Sequence, residues 1–131
     1  MTITEILKQA PASPSDLMEQ TGMSRSAFYR NLNTLLQQGT IKKHSNGNLA
    51  IAKIPPSPWE IMEQMEIVFQ QKGMDKNYRR KSNDDKADDV LVHYMDYILK
   101  GLISDYNEEV LQKVIFDGYT LFIQRNALYS K

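Results

Sequence analysis

Residues 17–41, LMEQTGMSRSAFYRNLNTLLQQGTI, decide how this chain folds. Leu17 and Met18 give a small apolar face, Thr21-Gly22 breaks it, and Ser24 can cap a new helix. Phe28, Leu32, Leu35 and Leu36 then fall at i, i+4, i+7 and i+8, the spacing of one helical face, before Gly39 ends the run and Thr40-Ile41 turns extended. The pattern predicts two helices joined by a turn of a few residues, the second over 24–38. With the four apolar residues inward, Arg25, Ser26, Tyr29, Arg30 and Asn33 project largely from the other side. That outer face is polar, cationic and able to hydrogen-bond.

Upstream, Thr2 and Glu5 can form a capping box, and Ile3, Ile6, Leu7 and Ala10 recur at helical spacing up to Pro11. Ser13-Pro14 pairs a cap with a first-turn proline and opens the helix that Gly22 stops. Downstream, residues 40–43 and 49–52 read as two strands around the Asn46-Gly47 hairpin signal. The head is thus expected to be three helices and a hairpin over about residues 2–53. Residues 54–58, IPPSP, continue neither strand nor helix, and the domain boundary is placed there, giving 1–54 and 55–131.

Ser57, Pro58 and Glu60 open a further helix over 58–72, striped by Ile61, Met62, Met65, Val68 and Phe69. Residues 75–89, DKNYRRKSNDDKADD, pass from basic to acidic with almost nothing apolar and read as an exposed or mobile loop, the Lys76, Arg79, Arg80 and Lys81 cluster included. A fifth helix is expected from Val90 through Leu102. A sixth, opened by Asp105 with Glu108, carries Val110, Leu111, Val114, Ile115, Tyr119, Leu121 and Phe122, with Leu128 and Tyr129 beyond. The fold class is mainly α: a three-helix head with a hairpin, then a three-helix region.

Across 131 residues the formal charge is zero, but it is divided. Residues 1–54 carry six basic against three acidic side chains, and residues 55–131 carry ten against thirteen. A mildly basic head and an acidic tail suit a polyanion binder joined to something else. With no cysteine, disulfides, thiolate metal sites and cysteine nucleophiles are excluded. His44 and His93 have no partner at metal-ligand spacing, and the Asp84, Asp85, Asp88 and Asp89 run lacks the glycine and final glutamate of a calcium loop. No phosphate-cradling glycine loop or nucleophile elbow is present, so neither an enzyme nor a cofactor is expected. No apolar run is long enough for a membrane span and no secretion signal opens the chain, which points to a cytoplasmic protein without a membrane partner.

The run 17–41 resembles the winged helix-turn-helix domains of prokaryotic transcription regulators, in the small turn at Thr21-Gly22, the serine opening the next helix, the leucine pair and the Gly-x-Ile step into a strand. The resemblance covers about residues 2–53 only. It implies that helix 24–38 lies in the major groove of double-stranded DNA and that the wing tip reaches a neighbouring backbone or the minor groove. The candidate contacts are then Ser24, Arg25, Ser26, Tyr29, Arg30 and Asn33 on the helix and Lys42, Lys43, His44 and Asn46 on the wing. Arginine can pair bidentately with guanine and asparagine with adenine, and the free helix N-terminus at Ser24 suits a phosphate.

Plainer readings stand beside these. Exposed arginines are usually solvated, Tyr29 can pack at the edge of a core, and basic strand edges also block aggregation. Operator-like sites are commonly read by dimers, and the apolar stripes of the C-terminal helices suit a homodimer; the alternative is that they pack on the head of a monomer. A transcription regulator is the main functional expectation. A protein-docking winged helix, or a DNA-binding replication or plasmid-maintenance protein, are the competitors. No effector ligand is legible.

Overall fold

A computed structural model describes residues 1–100 and 102–128. Tyr129, expected to extend the last apolar stripe, lies outside the described residues. The elements run α1 (Ile3–Leu7), α2 (Pro14–Thr21), α3 (Arg25–Gln38), β1 (Ile41–Lys43), β2 (Leu49–Ile51), α4 (Pro58–Lys72), α5 (Lys76–Arg79), α6 (Asn83–His93) and α7 (Glu108–Arg125). The fold is mainly helical, with three helices and a hairpin first and a helical C-terminal region after, as the spacing predicts. The chain divides into two compact units. Among the described residues, one holds 1–55 and 104–111, the other 56–100, 102–103 and 112–128.

In the first unit the expected caps are made. The Thr2 hydroxyl accepts from the Glu5 amide while Glu5 reaches back to the Thr2 amide. Ser13 and Ser24 cap α2 and α3 through the amides of Asp16 and Ala27. These caps satisfy amides that a helix start leaves without partners. Ile3, Ile6, Leu7, Leu17, Phe28, Leu32, Ile41 and Leu49 form the core, with Met18, Met23, Leu35 and Leu36 packed against it. Burying a residue the size of Phe28 is worth about 1.5–3 kcal/mol, so this cluster fixes how α2 and α3 sit.

The hairpin pairs Ile41 with Ile51, Lys42 with Ala50 and Lys43 with Leu49. Its far side is bridged by Ala12, which exchanges both main-chain hydrogen bonds with Leu49, at 3.1 and 2.8 Å. This bridge accounts for α1 ending at Leu7 rather than running to Pro11: the chain must be extended at Ala12 to pair.

The second unit departs from expectation at residues 75–89, which are helical over much of their length. Asp75 caps α5 and Ser82 caps α6. Tyr78 and Ala87 are buried. Tyr78 donates its phenolic proton to the Lys86 carbonyl at 2.8 Å, and Lys81 meets Asp89 at 2.6 Å. Two buried side chains in fifteen residues leave no periodic pattern, yet they suffice to dock the segment. From α6 the chain passes directly into a π-helical turn, Tyr94–Ile98. The helix expected to open at Asp105 opens at Asn107 instead, whose Oδ1 accepts from the Val110 amide and whose carbonyl accepts from the Leu111 amide. Asp105 closes a short 3₁₀ turn.

α4 packs on α6, burying Ile61, Met62, Met65 and Val68. Phe69 makes edge contacts with Tyr78 and Phe122, at 6.3 and 5.6 Å between centroids. Glu66 pairs with Arg125 at 3.1 Å and accepts from Asn126 at 3.2 Å.

Candidate nucleic-acid interface

The candidate interface is built on the turn between α2 and α3. Only residues 22–24 separate Thr21 from Arg25. Gly22 takes φ +67°, ψ +13°, and its amide donates to the Met18 carbonyl. A residue with a Cβ pays about 1–2 kcal/mol in that left-handed conformation, so glycine lets the chain reverse tightly enough to present α3 directly. Ser24 is extended at φ −62°, ψ +155°, and its hydroxyl accepts from Ala27 at 3.4 Å. The first turn of α3 carries the positive end of the helix dipole.

Phe28 and Leu32 are buried and Leu35 and Leu36 half-buried, which orients the helix. Ser24, Arg25, Ser26, Tyr29, Arg30 and Asn33 are all exposed. The Arg25 guanidinium lies 5.9 Å from the centre of the Tyr29 ring, and that ring packs edge-to-face with Phe28, the centroids 5.3 Å apart. Tyr29 therefore does both things its chemistry allows: it borders the core and carries an arginine on its face. The Thr34 hydroxyl donates to the Arg30 carbonyl at 3.0 Å, a main-chain contact that leaves the exposed Arg30 side chain to solvent.

On the wing, the amides of His44 and Gly47 donate to the Asn48 and His44 carbonyls at 2.8 and 3.0 Å. Asn46 Oδ1 accepts from the Asn48 amide at 2.9 Å, so part of its side chain serves the turn itself. Lys43, His44 and Asn46 are exposed, while Lys42 is half-buried.

Residues 104–111, which the sequence pattern assigns to the C-terminal region, return to this unit and hold the base of the wing. Lys42 donates from Nζ to the Ser104 carbonyl. The Lys53 amide donates to the Asp105 carbonyl at 2.7 Å. Asn107 Nδ2 donates to the carbonyls of Leu36 and Ile41, at 3.1 and 3.0 Å. Between wing and returning segment lies a groove of about 520 Å³, whose walls include Lys42, Lys43 and His44 on one side and Glu108 and Glu109 on the other. The carboxylates offset part of the wing's positive charge, leaving the outer face of α3 as the more purely cationic surface. The contact made by Asn107 is invisible in the sequence, because a lone asparagine sixty or more residues from its partners carries no periodic signal.

Among the described residues no three acidic or histidine side chains are grouped to hold a metal ion, and no helix is long and apolar enough to cross a membrane. No curated protein and no solved structure matches the chain. Residues 1–43, comprising α1, α2, α3 and β1, match the family model described as bacterial regulatory protein, arsR family, so this stretch is similar to the winged helix-turn-helix domain of those DNA-binding regulators.

Proposed function

We propose that the protein is a dimeric, sequence-specific regulator that acts in the cytoplasm by occupying double-stranded DNA, without catalysing a reaction. In this reading α3 enters the major groove, which at ~12 Å wide admits one helix. Arg25, Arg30 and Asn33 read base edges, Ser26 and Tyr29 support them, and the helix N-terminus at Ser24 meets a phosphate. On the wing, Lys43 and His44 contact a neighbouring backbone or the minor groove, with Asn46 at the tip. Lys42 contributes chiefly by holding the wing in place, since its ammonium is engaged by Ser104. Two copies joined through the C-terminal helices would place two heads on paired half-sites.

The observation that carries the reading is the sidedness of α3: its apolar side chains enter the core, while every polar residue assigned to DNA is exposed. Binding to random and selected duplexes across a salt series tests it. Neutralising phosphates releases counterions, so affinity should fall steeply and log-linearly with salt, and a selected sequence should bind far more tightly than random duplex. A docking module would give weak binding with no salt slope. A slope without sequence preference would reduce the protein to a nonspecific binder.

A further inference from the structure

The charge of the head changes where the chain returns to it. Residues 1–55 carry six basic and three acidic side chains, and residues 104–111 add Asp105, Glu108 and Glu109 with no base, so the compact unit they form together holds six of each. The cancellation is concentrated at the wing. Lys42 donates to the Ser104 carbonyl, Lys53 stands 5.8 Å from the centre of the Tyr106 ring, and Lys43 shares a groove with Glu108 and Glu109. Arg25 and Arg30 of α3 remain exposed. The returning segment is also firmly held. Tyr106 is buried, Asn107 Nδ2 donates to the Leu36 and Ile41 carbonyls, and Val110 lies so near Gly39 that a Cβ added there would meet its Cγ1 at 2.9 Å. Glu108 and Glu109 stand exposed in the first turn of α7. Carboxylates there ordinarily answer the helix dipole, but these two also border cations that the head would offer to a polyanion.

We propose that Glu108 and Glu109 set the strength of sequence-independent DNA binding: fixed beside the wing, they repel duplex phosphates and lower the attraction of Lys43 and its neighbours for them. The inference rests on the DNA-binding reading given above and adds two residues that act on the duplex by charge rather than by contact. Binding to random duplex is almost wholly electrostatic, so it is the part of the affinity that fixed counter-charges reduce most directly. The base contacts assigned to α3 are short-ranged hydrogen bonds made by a different face of the unit. Charges on a surface act on one another within a Debye length, ~10 Å at 0.1 M salt, so the restraint is strongest at low salt and fades as salt rises. Holding random binding down matters to a regulator because random duplex vastly outnumbers its sites.

Glu108→Gln combined with Glu109→Gln keeps the shape of both side chains and removes only their charge. The double variant should bind a random duplex about tenfold more tightly than the parent at low salt, with the gap closing as salt is raised, so that its log-affinity falls more steeply. A control pair, Glu63→Gln combined with Asp117→Asn, changes the net charge by the same amount at exposed positions of the other unit. It should change that affinity by about twofold at most. Damage to the fold cannot imitate the expected gain, because a loosened head binds more weakly. A random-duplex affinity that is unchanged or lowered in the Glu108→Gln, Glu109→Gln protein, or raised equally by the control pair, would overturn the assignment, while salt-dependent binding by the parent left the DNA reading standing. A parent that binds no duplex at any salt concentration would remove both.

Discussion

Asn107 caps α7 with one end of its side-chain amide and, with the other, holds the Leu36 carbonyl near the end of α3 at 3.1 Å, adding a second bond to Ile41 at 3.0 Å. One half-buried side chain thereby joins α3, the first strand of the hairpin and a returning segment distant in sequence.

The first prediction follows from that arrangement. Asn107→Ala leaves two carbonyls without their donor and removes a helix cap, and should lower the stability of the first unit by roughly 1–3 kcal/mol. Asn107→Asp keeps the cap but turns a carboxylate toward two carbonyl oxygens, and should cost more at neutral pH. Urea unfolding of the three proteins ranks them; an alanine variant as stable as the parent would deny the bridge its role.

A second prediction separates base reading from backbone contact. Arg30→Ala should cost about 1–3 kcal/mol of binding to a selected duplex and relax preference at one base position, because a bidentate donor to a base edge is lost. Lys43→Ala should weaken selected and random duplexes alike and reduce the salt slope by about one. Filter-binding titrations at several salt concentrations measure both. Equal and negligible losses would move the interface away from α3 and the wing.

The head is largely legible in the amino-acid sequence because its decisive features are local. The Phe28-Leu32-Leu35-Leu36 stripe and the caps at Thr2, Ser13 and Ser24 are located by spacing alone. What escapes depends on distant partners or on single residues. Ala12 becomes strand-like only because Leu49 lies beside it. Tyr78 and Ala87 turn a charged run into docked helices by being buried, which composition averages away. On the wing, sequence places Lys42, Lys43 and His44 together, but the Ser104 carbonyl that engages Lys42 and the carboxylates of Glu108 and Glu109 across the groove become visible only in three dimensions.

A third prediction concerns pH. Burial first, and the carboxylate of Asp89 second, push the Tyr78 phenol up to about 12 from its ordinary 10. The ionised phenol is therefore harder to hold in the fold than in the unfolded chain. Its contribution to stability is whole below pH 10 and is lost as the pH rises from 10 toward 12. The difference in urea midpoint between the parent and Tyr78→Phe should accordingly narrow over that window. Tyr119, raised by burial and then by Asp88, leaves a residual alkaline limb in the variant. A difference that stays constant from about pH 9 to about pH 12 would contradict the assignment.

The last prediction tests how closely α7 approaches α4. A Cβ at Gly118 would stand 2.7 Å from Ile61 Cγ2, 2.8 Å from Ile61 Cβ and 2.9 Å from the Pro58 carbonyl oxygen. Two effects compete in Gly118→Ala. Helix propensity favours alanine by roughly 1 kcal/mol, and overpacking of a filled contact costs about 1–3 kcal/mol or more. Overpacking should win, because the crowded atoms include main-chain oxygen and a Cβ, neither of which can rotate away. Ile61→Ala in the same background removes the Cγ2 clash but leaves the other two, so the double variant should recover only part of the loss. A double-mutant cycle in urea reads that coupling directly. A Gly118→Ala protein more stable than the parent would mean that the two helices stand further apart than these distances allow.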